Sequence, residues 1–176
     1  MNNKSRNLGD ICLRYVILLF ILVGVYYWQP LYTLIFNLTV YPTSFFLNLA
    51  FNSRVFDSFI IVNQTLINII PACIAISAYG LLLILNLTTA MKLKTRIYSL
   101  IFSLSGLLLL NIMRIIFMAL LLINDYSNFE FVHRISWYAL GIVFVTGIWF
   151  LTAHIFKIST IPVYSDIKSI IKPNKK

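Results

Sequence analysis

A thiol, a guanidinium and an imidazole stand in stretches of this chain that otherwise read as lipid-soluble helix: Cys73, Arg114 and His133. Arg114 is the one charged residue between Ile97 and Asn124. An arginine at the centre of a spanning helix costs about 2.5–3.5 kcal/mol on insertion scales, so it normally has a partner or a task. The chemistry these three types support together is nucleophilic catalysis by cysteine. A thiolate is the nucleophile, and helix N-termini and nearby cations are the settings that favour it. Cys73 follows Pro71 by two residues, in what should be the first turn of a helix, where backbone N–H groups lack intrahelical partners. Those groups could hold the oxyanion of a tetrahedral intermediate. Arg114 stays protonated and cannot be a base. Its natural tasks are stabilising a thiolate or oxyanion and orienting a substrate backbone. His133 is the candidate proton shuttle, taking the thiol proton and giving it to a leaving amine. Asn111, one helical turn before Arg114 on the same face, fits the orientation of Arg114 or of a substrate carbonyl. Plainer readings stand beside these: packing for Cys73, a hydrogen bond to carbonyls of a neighbouring helix for Arg114, an interfacial position for His133, and interhelical bonding for Asn111.

The elements that must position these residues are read as five helices. The first spans about Gly9 to Trp28 and stops at Gln29-Pro30, and the second covers Leu31 to about Phe51 with Pro42 as a kink. Phe59 to Val62 and Leu66 to Ile70 are β-prone, with Asn63-Gln64-Thr65 as a turn, which predicts a short hairpin on the membrane surface. The third helix begins at Pro71 and runs to about Ala90, and the fourth runs from Ile97 to about Ile123. A polar loop from Asn124 to Phe131, with Asp125 and Glu130, leads to the fifth, from about His133 to Phe156. The fold class is therefore an all-α integral membrane protein, with about five transmembrane helices and a short extracytoplasmic β-hairpin before the third. Residues 1–156 form one membrane domain and residues 157–176 a basic cytoplasmic tail.

Composition carries the membrane assignment. Hydrophobic residues make up 60% of the chain and charged residues 11%, too few for a water-facing surface. The net charge of +9 is concentrated in Lys92, Lys94 and Arg96 and in a tail with Lys157, Lys168, Lys172, Lys175 and Lys176. Such clusters border spans on the cytoplasmic side, and with no folded domain to present them they do not indicate nucleic-acid binding. Leu13 to Val25 is not followed by a small-residue cleavage site, which argues against a removable signal peptide. Cys73 precedes Lys92 by about 28 Å of helix and Arg114 follows Arg96 by about 27 Å, so both sit near the face opposite the basic loop. His133 starts a helix that ends at Lys157, so all three belong to one, extracytoplasmic, face. Lys4, Arg6 and Arg14 pull against this topology, since five crossings with an inner C-terminus put the N-terminus outside. A second segment that dips in without crossing removes that conflict. Cys12 reads as a passive apolar residue and His154 as interfacial, while Tyr26, Tyr27, Trp28 and Trp137 read as an aromatic belt. Of the sequons beginning at Asn37, Asn63 and Asn86, only Asn63 lies outside an apolar run.

Ile70-Pro71-Ala72-Cys73, Asn111-Ile112-Met113-Arg114-Ile115 and Phe131-Val132-His133 together resemble the three signature blocks of the exosortase/archaeosortase family. The resemblance covers about Phe59 to Trp149, and the small size is similar to the compact archaeal-type members. Many members have a hydroxyl residue and a glycine after the cysteine, where this chain has Ile74 and Ala75. The family consists of multi-spanning cysteine transpeptidases acting on exported proteins. Their substrates carry a C-terminal sorting signal: a short motif, an apolar helix and a basic cluster. The resemblance implies that Cys73, Arg114 and His133 are catalytic, and that the acyl group passes through a thioester to a lipid amine or similar acceptor, or to water. No cofactor is implied, and no His/Asp/Glu cluster of ligand spacing suggests a metal. The reading from another class is a non-catalytic membrane assembly factor or small transporter, with Arg114 holding an anion or a partner's carboxylate. A thioester-forming acyltransferase would share the thiolate but needs an acyl-donor site that the sequence does not offer.

Overall fold

The computed structural model describes residues 16, 19, 20, 23, 24, 29–89 and 91–158. Most of the first predicted helix, with Cys12 and the aromatic group Tyr26, Tyr27 and Trp28, lies outside the described residues, as does the basic tail beyond residue 158.

Helix α1 (Gln29–Asn48) begins two residues earlier than the apolar run suggests, because Pro30 suits a first helical turn. Thr33, Thr39 and Thr43 donate back to the carbonyls of Gln29, Ile35 and Thr39, so hydroxyls in an otherwise apolar helix are satisfied within it. Pro42 lies inside the helix. Three four-residue strands follow: β1 (Ser53–Phe56), β2 (Phe59–Val62) and β3 (Thr65–Asn68), antiparallel and in the order β1-β2-β3. The expected hairpin is β2 and β3. The added strand, β1, reads poorly in sequence because Ser53-Arg54-Val55-Phe56 is short and charged. What holds β1 is α1: Ser44 and Ser53 share a hydroxyl–hydroxyl bond of 2.8 Å, and the Ser53 N–H donates to Asn48 Oδ1 at 3.0 Å. Both turns are two residues long, and each places Asp57 or Asn63 at positive φ (51° and 53°). Asn and Asp tolerate that conformation, so the turn needs no glycine. Ile60 and Val62 point inward and are fully buried.

The third predicted helix is broken. Helix α2 (Pro71–Ile74) is a single turn, and α3 (Ile76–Thr88) restarts after Ala75, which sits at φ 58° and ψ 35°. Helix α4 (Leu93–Ile123) starts four residues before the expected Ile97 and takes the basic cluster into its first turn. Arg96 there donates through Nη2 to the Thr89 carbonyl at 2.9 Å, capping the buried C-terminal end of α3. Deeper in this pair the fully buried Asn86 donates to Ser99 Oγ at 2.6 Å. Helix α5 (Phe129–Ile135) starts four residues before His133, so the polar loop shrinks to 124–128. A π-helical turn, Ser136–Leu140, then joins it to α6 (Gly141–Ile155), with a bend of 40°.

Among the described residues, two helical stretches are long and apolar enough to cross a membrane: Pro71–Thr88 and Leu93–Ile123. The bent pair formed by α5, the π turn and α6 makes a third if it counts as one span. Helix α1, with its polar hydroxyl and amide residues, is not among them. At 31 residues, α4 is about 46 Å long, well beyond a hydrocarbon core of about 30 Å.

Candidate active site

Cys73 is the third residue of α2 and is half-buried. Pro71 starts this turn and Ala75 ends it: the left-handed residue stops the i to i−4 ladder one residue after Ile74. The break exposes the Cys73 carbonyl, which a continuous helix would bond internally. Helix α4 supplies the partners. Asn111 Nδ2 donates to this carbonyl at 2.9 Å and Arg114 Nη2 at 3.1 Å. Asn111 is 2% exposed, and the two residues lie three apart on one helix face, as their spacing predicts. Arg114 therefore makes the kind of bond that the plainer reading gave it, with one of its five N–H donors. The guanidinium also lines the cavity described below.

One expectation needs correction. The Cys73 N–H donates to the Ile70 carbonyl at 2.8 Å, closing a tight turn, and is not free for an oxyanion. A helix of four residues bonds its early N–H groups to the residues just before it, and the notion of an open first turn fails here for Cys73 itself.

His133 comes from α5, where its ring stacks on Phe129 one turn earlier, with centroids 5.6 Å apart and planes at 5°. That contact fixes the ring plane, and no protein hydrogen bond to its nitrogens is present among the described residues. Neighbouring Arg134 forms an exposed pair with Glu130 at 3.5 Å, a type of contact worth little.

The three residues meet at one cavity of about 580 Å³, inside the size range of ligand sites. Cys73 enters from α2, Arg114 from α4 and His133 from α5, and the β3 segment completes the lining. Most of the lining is apolar, with Met118 and Trp137 among it, so charges at the site are poorly screened. His154, in the last turn of α6, is exposed and does not line this cavity. Sequence reasoning missed Ser136. It lines the cavity from the π turn, is 3% exposed, and its Oγ has no hydrogen-bond partner among the described residues. Its place three residues after His133, on the same helix face, was the available signal.

Chemically, the arrangement offers a half-buried thiol, a stacked imidazole and a guanidinium around a mostly apolar space, side-chain types that thiol acyl transfer employs. No group of three or more His, Cys, Asp or Glu able to hold a metal occurs among the described residues. No protein-family model matches the chain, and comparison with curated proteins and with solved structures gives no match.

Proposed function

We propose that this protein is a membrane-embedded cysteine transpeptidase of the exosortase/archaeosortase type. It would cleave the C-terminal sorting signal of exported surface proteins and pass them to a lipid-type acceptor. The observation that carries the reading is the convergence of Cys73, Arg114 and His133, from three separate elements, on one cavity. In this scheme the Cys73 thiol gives its proton to His133, and the thiolate attacks the scissile carbonyl. The peptide C–N bond breaks, the leaving amine takes the proton from His133, and a thioester remains. An acceptor amine, or water, then releases the acyl group and restores the thiol. Arg114, anchored on the Cys73 carbonyl, is the candidate stabiliser of the oxyanion. Asn111 acts through it as a positioning residue. The wider assignment is a multi-pass cell-membrane protein of about five spans with this cavity on the extracytoplasmic side. The two long apolar helical stretches support its membrane part and the basic cluster at the start of α4 its sidedness, while the count of five rests on the sequence pattern.

A second reading draws on one specific contact. Arg114 and Asn111 both serve the Cys73 carbonyl, and a scaffold or small carrier would need that bond as much as an enzyme does. Processing in cells separates the two. A surface protein bearing a C-terminal apolar helix and basic tail is co-expressed with wild type, Cys73→Ala, Arg114→Ala and His133→Ala. Loss of the tail with wild type alone, all forms being inserted at equal level, is the expected result. Equal processing by Cys73→Ala would remove the nucleophile and leave the scaffold reading.

A further inference from the structure

The register of the sheet decides which backbone groups of β3 are free. Asn63 and Gln64 form a two-residue turn, so the flanking pair Val62 and Thr65 exchanges both of its ladder bonds. Pairing alternates from there. Ile67 bonds to Ile60, and the Ile69 N–H donates to the Ser58 carbonyl at 2.9 Å. The N–H and C=O groups of Leu66 and Asn68 therefore point away from β2, toward the open edge of the sheet. Both residues line the cavity that contains Cys73. Among the described residues, no other backbone group bonds to that edge.

A second observation comes from the α5 side. Ser136, nearly fully buried, brings an unpartnered hydroxyl to the same cavity from the π-helical turn. Such turns occur often at functional sites, and a buried polar group without a partner calls for an explanation. The buried hydroxyl costs free energy until a ligand meets it, while the exposed edge groups of β3 stay open to pair with another backbone.

We propose that the cavity takes its substrate as an extended peptide strand added to the open edge of β3. The main chain of that strand bonds to Leu66 and Asn68, and one of its carbonyls facing the other way accepts from Ser136 Oγ. This deepens the transpeptidase reading and rests on it for the peptide nature of the substrate. The free groups of β3 recur at every second residue, about 6.6–6.8 Å apart. Another strand matches that repeat, whereas an acyl chain would fill the space and leave the groups unmet. A strand also presents donors and acceptors on both of its edges, which serves β3 and Ser136 at once. Since β3 continues through Ile69 and Ile70 into the Cys73 turn, the added strand is led past the thiol. Main-chain recognition implies tolerance of side chains along this segment.

Disulfide capture tests this without requiring turnover. The full chain carries two cysteines, so Cys12→Ser in nanodiscs leaves Cys73 as the one thiol. The probes are an Ala/Thr peptide of nine residues with a central cysteine as its cysteamine disulfide, single N-methyl versions of it, and octyl cysteamine disulfide. The peptide should be captured at equilibrium about tenfold better than the octyl probe. N-methylation should weaken capture at alternate positions only. Leu66→Pro and Asn68→Pro remove outward N–H groups without touching the β2–β3 ladder, and should bring capture down to the octyl level. Ser136→Ala should lower it severalfold in a protein that unfolds at the same temperature. Equal capture of the octyl probe, N-methyl effects without alternation, or folded proline variants that capture like wild type would each overturn the proposal. The N-methyl scan stays decisive if a proline variant does not fold. Peptide capture that obeys this pattern, together with substrate processing by Cys73→Ala, would retain the strand and remove the enzyme, so the two failures are distinguishable.

Discussion

Two donors on one carbonyl set the chemistry at the scale of the residue. Asn111 and Arg114 both bond to the Cys73 carbonyl, at 2.9 and 3.1 Å, so removing either leaves the other in place. Their contributions to stability should therefore not add. Asn111→Ala and Arg114→Ala singly keep the carbonyl paired, while the double variant strips it bare. The double should exceed the sum of the singles by about 1–2 kcal/mol, measured by unfolding in detergent micelles. Strict additivity would show that the shared carbonyl is not the basis of the coupling. Arg114→Lys is informative in a different way. A lysine keeps the charge but loses the planar fork that can bond a carbonyl and face the cavity together. It should fold like wild type and process substrate at least about tenfold more slowly. Of the residue-scale features, the Asn111–Arg114 spacing was legible in the sequence, because i and i+3 share a helix face. Their common acceptor was not, since it lies 38 and 41 positions away on another element.

The broken third helix is the decisive element. Ala75 adopts φ 58°, a left-handed conformation that costs a residue with a Cβ about 1–2 kcal/mol. Glycine takes it freely, at some cost in unfolded-state entropy. Ala75→Gly should therefore stabilise the protein by about 0.5–1 kcal/mol with the thiol in place. Ala75→Val, branched at Cβ, should do the reverse and lower processing as well, because the break orients Cys73. A thermal unfolding series of the three forms checks this, and a destabilised glycine variant would mean that Ala75 has a packing role. In sequence the stretch from Pro71 to Ala90 reads as one continuous apolar helix, since neither alanine nor isoleucine signals a break. A similar lesson holds for α5. Sequence pattern puts the helix start at His133, but Phe129 one turn earlier belongs to the same helix and stacks on the imidazole.

At the scale of the whole molecule, the question is which face holds the cavity. Cys73 and His133 lie near one end of the long helices, and Lys92, Lys94 and Arg96 at the other end of α4. Cysteines introduced at Asn63 and at Lys94, in a Cys12→Ser, Cys73→Ser background, should divide by sidedness. An impermeant maleimide applied to intact cells should label the Asn63 position, which is exposed in the β2–β3 turn, and spare Lys94 until the cells are opened. Labelling in the reverse order would put the cavity on the cytoplasmic face and end its assignment to exported proteins. Helix α1 is a separate case. This helix is 20 residues long but lies outside the set apolar enough to cross, and it packs on the sheet through Ser44 and Asn48.

Composition and apolar run length by themselves determined that long apolar helices dominate this chain, because a 60% hydrophobic sequence with 11% charge leaves few other ways to satisfy its backbone. Residue type singled out Cys73, Arg114, His133 and Asn111, because polar groups in apolar runs are expensive and so carry information. Only the tertiary structure decided that the thiol, guanidinium and imidazole share one cavity and that the Cys73 N–H is already engaged. It also decided that β1 joins the hairpin and that Ser136 faces the same space. Each of these depends on contacts between elements distant in sequence, and local pattern, which reports the period of one element at a time, does not encode such contacts.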